Sequence, residues 1–85
     1  GVNKDLVKAT EYIRKSAEMG EAIAQLNYGD MFRDGDVWYR TEPDSISGES
    51  LLINVKPDIE KAKEWWRKAL KNGNNSAKKR LEKIY

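Results

Sequence analysis

The side chains that most often carry chemistry are either missing from this 85-residue chain or spaced against it. It has no Cys and no His, which excludes thiol nucleophiles, disulfides, zinc-finger ligand sets and imidazole acid–base catalysis. Ser45, Ser47 and Ser50 thus have no imidazole to activate them, and a Ser-His-Asp triad is impossible within the chain. Fourteen carboxylates offer many pairs, but a general acid needs a pKa raised by burial. Nearly all of these Asp and Glu fall at polar positions of amphipathic patterns. Gly20, Gly29 and Gly35 sit at helix-packing or helix-stop positions, and no Gly-Lys-Ser/Thr phosphate cradle follows them. Asp30, Asp34 and Asp36 around Gly35 lack the donor spacing and the distant bidentate Glu of a calcium loop. The expectation is a protein that is not an enzyme and holds no metal or cofactor.

Binding chemistry remains. Lys8, Tyr12 and Lys15 and, later, Lys61, Trp65 and Lys68 each place an aromatic between two cations at helical spacing, one step off the apolar stripe. Aromatics flanked by cations are favoured interface anchors, although Tyr12 and Trp65 at this spacing also suit packing on a neighbouring unit. These six residues are the expected partner-binding surface, with Trp65 as its main anchor, for an acidic or aromatic-containing peptide. Lys78, Lys79, Arg80 and Lys83, with Lys68 and Lys71 nearby, form a patch able to neutralise phosphates. No aromatics interleave with it, and cations near a helix C-terminus oppose the negative end of the dipole. The expected partner is therefore a protein or peptide and not a nucleic acid.

The whole chain carries 16 basic and 14 acidic residues, too balanced for a polyanion binder. The balance is uneven: residues 1–42 hold six basic and eight acidic side chains, residues 43–85 ten and six. No apolar run approaches the roughly 18 residues of a membrane span, and no segment resembles a signal peptide. The chain opens Gly1-Val2 without an initiator Met and is expected to be a processed protein or a piece of a longer one.

The elements that would position these residues come from an internal repeat. At an offset of 53, Asp5 falls on Asp58, Lys8-Ala9 on Lys61-Ala62, Arg14-Lys15 on Arg67-Lys68, Gly20 on Gly73 and Ala24 on Ala77. Val2 with Val55, Tyr12 with Trp65, Ile13 with Trp66, Tyr28 with Leu81 and Phe32 with Tyr85 continue the register. Each unit reads as two helices. The first has Leu6, Ala9, Ile13 and Ser16/Ala17 on its apolar stripe, Asp5 as N-cap and Gly20 as a left-handed stop. A second helix from about Glu21 to Asp34 presents Ala24, Tyr28 and Met31/Phe32, and Gly35 closes it. In the second unit Pro57-Asp58 starts a helix with Ile59, Ala62, Trp66 and Ala69/Leu70 inward. Asn72-Gly73 ends it, and Asn74 or Asn75 caps a last helix with Ala77, Leu81 and Ile84/Tyr85 inward.

The run Gly1-Val2, Asp5, Lys8-Ala9, Tyr12-Ile13, Ser16-Ala17, Gly20, Ala24-Gln25, Tyr28-Gly29, Phe32 and Gly35 resembles the Sel-one-like repeat, a relative of the tetratricopeptide repeat. The second unit follows the pattern less closely, with Trp65-Trp66 as its aromatic pair and Leu81-Glu82 in place of Leu-Gly. The resemblance implies an all-α fold of two stacked antiparallel helical hairpins in a right-handed superhelix. It also implies a non-enzymatic interaction module, a scaffold or adaptor for a protein partner. A regulatory appendage of an enzyme lying outside the fragment, and weak nucleic-acid binding through the basic last helix, are the alternatives.

A family unit is roughly 36 residues, so the offset of 53 leaves about 17 residues over. The expected division is a first repeat at 1–36, an inserted loop or short hairpin at 37–53 and a second repeat at 54–85. The insertion has β-prone ends, Val37-Trp38-Tyr39-Arg40 and Leu51-Leu52-Ile53, around a Pro/Gly/Ser/Asp centre, which predicts a hairpin with a polar tip. Trp38 and a member of Leu51–Ile53 are expected to pack back on the helices. Long loops inside compact arrays are often functional.

Overall fold

Two glycines divide the helical sequence into hairpins. Gly20 and Gly73 adopt φ of +94° and +97°, a left-handed conformation that costs a residue with a Cβ far more than glycine. Both sit two residues past the end of a helix, as the repeat register predicts. The computed structural model describes residues 2–83, with side chains from Asp5 to Lys83. Its elements run α1 (Val2–Glu18), α2 (Ala22–Asp34), β1 (Val37–Arg40), β2 (Leu52–Val55), α3 (Ile59–Lys71) and α4 (Ser76–Glu82). Helices α1 and α2 form one hairpin, α3 and α4 the other, and α2 packs most extensively on α3. Ile84 and Tyr85, including the match of Tyr85 with Phe32, lie outside the described residues.

The two units start differently. In the second, Asp58 is the N-cap of α3, and its carboxylate accepts from Lys61 N–H at 3.1 Å. In the first, Asp5 is not the cap that the pattern predicts: α1 already runs from Val2, and Asp5 lies in its first turn. Proline explains the difference. Pro57 lacks a donor and holds Lys56 out of the helical region, so no helix continues upstream of it. The equivalent position in the first unit is Lys4, which imposes no such stop, and an acid in a first turn still favours the positive end of the dipole.

The core lies between α2 and α3. Trp66, Ala62, Ala69 and Ala77 are fully buried, Ala17 nearly so, and Tyr28 and Phe32 are each 7% exposed. The small residues on α3 let α2 approach closely enough for Trp66 to lie against Gly29. The α1 stripe is rotated from the predicted one. Val7, Thr10 and Ala17 are buried, Leu6, Ile13 and Ser16 are half-buried, and Ala9 is exposed rather than buried. The equivalent Ala62 is covered because α2 lies across it, whereas no helix among the described residues lies across Ala9. Thr10 tolerates burial because its hydroxyl donates to Leu6 C=O at 3.0 Å and accepts from Trp38 N–H at 3.1 Å.

The remaining α2 positions follow the predicted face. Ala24, Tyr28 and Phe32 are buried and Met31 half-buried. Gly35 closes α2 with φ of +76° and donates its N–H to Met31 C=O. Gln25 is also buried, and its amide donates to Ala17 C=O at 3.0 Å and accepts from Asn72 at 2.9 Å. One side chain thereby ties the ends of α1 and α3 to α2. At α4 the cap-like contact comes from Asn74, whose side-chain oxygen accepts from Ser76 N–H at 3.0 Å, while Asn75 holds the N-cap position without a side-chain bond.

The predicted hairpin is present as an antiparallel pair with Val37 opposite Val55, Trp38 opposite Asn54, Tyr39 opposite Ile53 and Arg40 opposite Leu52. Val37, 5% exposed, is its deepest contact with the helices, whereas Trp38, Leu52 and Ile53 are half-buried and Leu51 is exposed. Asp44 organises the tip by accepting from Ile46 N–H at 2.7 Å and from Ser47 N–H at 3.3 Å. Those two donors hold its carboxyl below the usual aspartate range.

Candidate functional site: a cationic groove beside the two-stranded hairpin

Folding the hairpin back onto the helices creates a concavity that neither element has alone. It encloses about 390 Å³. Tyr28 and Phe32 form its floor together with Val37 and Val55 from the inner face of the hairpin. Thr10, Glu11 and Arg14 of α1 make one wall, Trp38, Tyr39 and Arg40 the opposite one, and Lys61 at the start of α3 closes the end. The floor is preorganised: the Tyr28 and Phe32 rings lie 4.7 Å apart between centroids, and Trp65 meets Tyr28 edge-on at 5.0 Å.

Three cations, Arg14, Arg40 and Lys61, and one carboxylate, Glu11, line this groove, and Arg14 makes a weak ion pair with Glu18 at 3.6 Å. Burial raises the pKa of the Tyr28 hydroxyl; nearby Arg14 opposes that shift and Glu18 adds to it. The groove therefore presents neutral aromatic surface below and positive charge at its rim, with Tyr39 half-open to solvent at 47%. Such a site can hold an extended chain by apolar contact along its floor and charge-assisted hydrogen bonds at its edges.

Of the six residues predicted from the repeat stripes, only Lys61 lines the groove. Lys8 and Lys15 are exposed and lie one helical turn on either side of Glu11, so they continue its rim along α1. Tyr12 is 72% exposed and turns toward a shallower depression with Ile13, Ser16 and Ile23. Trp65 is half-buried against Tyr28, and Lys68 Nζ sits 4.1 Å above its ring. Part of the Trp65 surface is thus committed to the fold. The residues missed in the sequence, Glu11, Arg14, Tyr39 and Arg40, are brought together by the return of the hairpin onto α1. That long-range event leaves no mark in local periodicity.

The acidic and basic clusters singled out in the sequence join each other. Asp30 accepts from Arg80 Nε at 2.6 Å and Nη2 at 3.0 Å, and from Trp66 Nε1 at 3.1 Å. Asp34 is held by Arg33 at 2.9 Å, which lowers its pKa. Among the described residues no group of three or more Asp or Glu is arranged to hold a metal ion, and no helix is long and apolar enough to cross a membrane.

Beyond the internal repeat, the profile of the Sel1 repeat matches residues 1–21, 22–52 and 46–74. The chain belongs to the Sel1 repeat family. Sel1 repeats generally mediate protein–protein interaction and are typically non-enzymatic. The helical hairpins of this Sel1 protein are those of a tetratricopeptide-like fold, and its two-stranded sheet is a small addition to a mostly helical molecule. No curated protein and no solved structure matches the chain.

Proposed function

We propose that this Sel1 protein is a non-enzymatic docking module, a scaffold or adaptor that holds an extended acidic segment of a protein partner. The segment lies in the groove between α1, the start of α3 and the two-stranded hairpin. The observation that carries this reading is the pairing of an aromatic floor, Tyr28 and Phe32, with a rim of Arg14, Arg40 and Lys61. Apolar side chains of the segment rest on the floor while its carboxylates meet the rim. Lys8, Tyr12 and Lys15 extend the surface along α1, and Trp65 with Lys68 extends it along α3.

The test is a binding titration of an end-capped peptide of alternating glutamate and tyrosine against the native chain and the Arg14→Glu and Lys61→Glu variants. Reversing either charge should weaken binding about ten-fold or more, since a charge-assisted contact is replaced by repulsion. Equal affinity in all three proteins, with unchanged helicity, overturns the reading.

A further inference from the structure

The hydrogen bonds of the hairpin show which of its backbone groups are left over. In an antiparallel pair, residues alternate between those whose N–H and C=O point at the partner strand and those whose groups point away. Thr41 N–H donates to Leu51 C=O at 2.9 Å, which fixes positions 37, 39 and 41 as those facing β2. Trp38 N–H confirms the phase from the other side, since it donates away from β2 to the Thr10 hydroxyl. Trp38 C=O and both backbone groups of Arg40 therefore point outward along the free edge of β1. Among the described residues Arg40 N–H has no hydrogen-bond partner.

This edge is not isolated from the site. Trp38, Tyr39 and Arg40 form one wall of the groove, opposite Glu11 and Arg14. Helix α1 packs against β1 and takes the edge at Trp38 N–H, through Thr10, and the backbone groups of Arg40 lie one strand step beyond that bond. An unpaired edge is a template for another extended chain. Here the template borders a groove whose rim has the charge to select that chain and whose floor has the apolar surface to hold it. The outer edge of β2, at Leu52 and Asn54, has no corresponding place in the groove.

We propose that the partner segment binds as a third strand along the outer edge of β1, pairing with Trp38 C=O and with Arg40 N–H and C=O. Strand addition gives affinity through the main chain and leaves specificity to alternate side chains. Side chains on the Val37 and Tyr39 side of the sheet turn toward the helices and are apolar or aromatic. Those on the opposite side lie beside the Arg40 guanidinium and are acidic. The segment is therefore an extended one in which acidic and apolar residues alternate. This proposal rests on the docking function above and adds the mode by which the groove is occupied.

The test uses the alternating glutamate–tyrosine peptide in three forms: unmodified, N-methylated on every glutamate amide, and N-methylated on every tyrosine amide. Strand addition turns only one of these two sets of amides toward β1. One methylated peptide should lose binding about ten-fold or more, because its inward donors are removed, while the other stays within about two-fold. On the protein side, Arg40→Ala removes the guanidinium and keeps the N–H, whereas Arg40→Pro removes both. Proline is tolerated where the N–H of an edge strand faces outward, so Arg40→Pro should bind several-fold more weakly than Arg40→Ala, and bound peptide should slow exchange of the Arg40 amide. If Arg40→Pro fails to fold, the two methylated peptides decide. Equal effects of both methylation patterns overturn strand addition while leaving the docking function standing. No binding of the unmodified peptide overturns both.

Discussion

Gly29 lies so close to Trp66 that a Cβ on the glycine would stand 2.5 Å from the indole ring and 3.0 Å from Ala62 C=O. The indole cannot retreat, because it is fully buried and its Nε1 is bonded to Asp30. Alanine favours a helix over glycine by about 1 kcal/mol, whereas overpacking a core costs about 1–3 kcal/mol. Steric cost wins. Gly29→Ala is expected to lower stability by about 1 kcal/mol or more in urea unfolding, and Gly29→Val by more.

Gly20 and Gly73 provide the opposite case, since a Cβ at either would meet no atom within 4 Å. Any cost of Gly20→Ala or Gly73→Ala is therefore conformational, about 1–2 kcal/mol each. The repeat register further requires the two costs to be alike. A pair of urea midpoints shifted by similar amounts would bear this out. A neutral or stabilising substitution at either position would contradict it.

Asp30 joins α2 to both α3 and α4, receiving Trp66 Nε1 and the Arg80 guanidinium on one carboxylate. Asp30→Ala strands a buried indole N–H and a half-buried cation, with an expected loss of about 2 kcal/mol. Arg80→Ala leaves Trp66 and Asp30 paired and should cost distinctly less. The double variant should show non-additivity, because both changes act on one network.

These contacts mark how far the sequence was readable. The offset of 53 located both hairpins and both left-handed glycines, because a repeated helix-stop is a local signal. Trp66 was legible as core for the same reason. Ala9 was misread because repeat logic assigns equal burial to equivalent positions, whereas burial depends on what lies across each one. α2 crosses Ala62, and no described helix crosses Ala9. Asp5 was misread as a cap because its partner Asp58 owes that role to Pro57, which the first unit lacks. Asp30 looked like part of an acidic cluster, and its bonds to Arg80 and Trp66 span 50 and 36 residues. The groove was legible only at Lys61, since Arg14 and Arg40 meet there through the return of a hairpin that no periodic pattern positions.

Stability should also carry the signature of Tyr28. Burial raises its hydroxyl pKa in the folded protein, while the unfolded chain titrates near about 10. Below that pH the phenol is protonated in both states and adds no slope. As pH rises through about 10 the unfolded chain loses the proton first, so folding stability falls. Urea midpoints measured from pH 8 to 11 should decline more steeply for the native chain than for Tyr28→Phe. Parallel curves would contradict it.

The groove beside the β1–β2 hairpin is proposed to receive an acidic extended segment. Amide-resolved NMR titration with the alternating glutamate–tyrosine peptide tests it most directly, because every wall of the groove carries its own reporter. The largest shifts are expected at Thr10, Arg14, Tyr39, Arg40 and Lys61, with the α4 amides from Ala77 to Arg80 nearly still. Shifts centred on α4, with Thr10, Arg14, Tyr39, Arg40 and Lys61 nearly still, would contradict it.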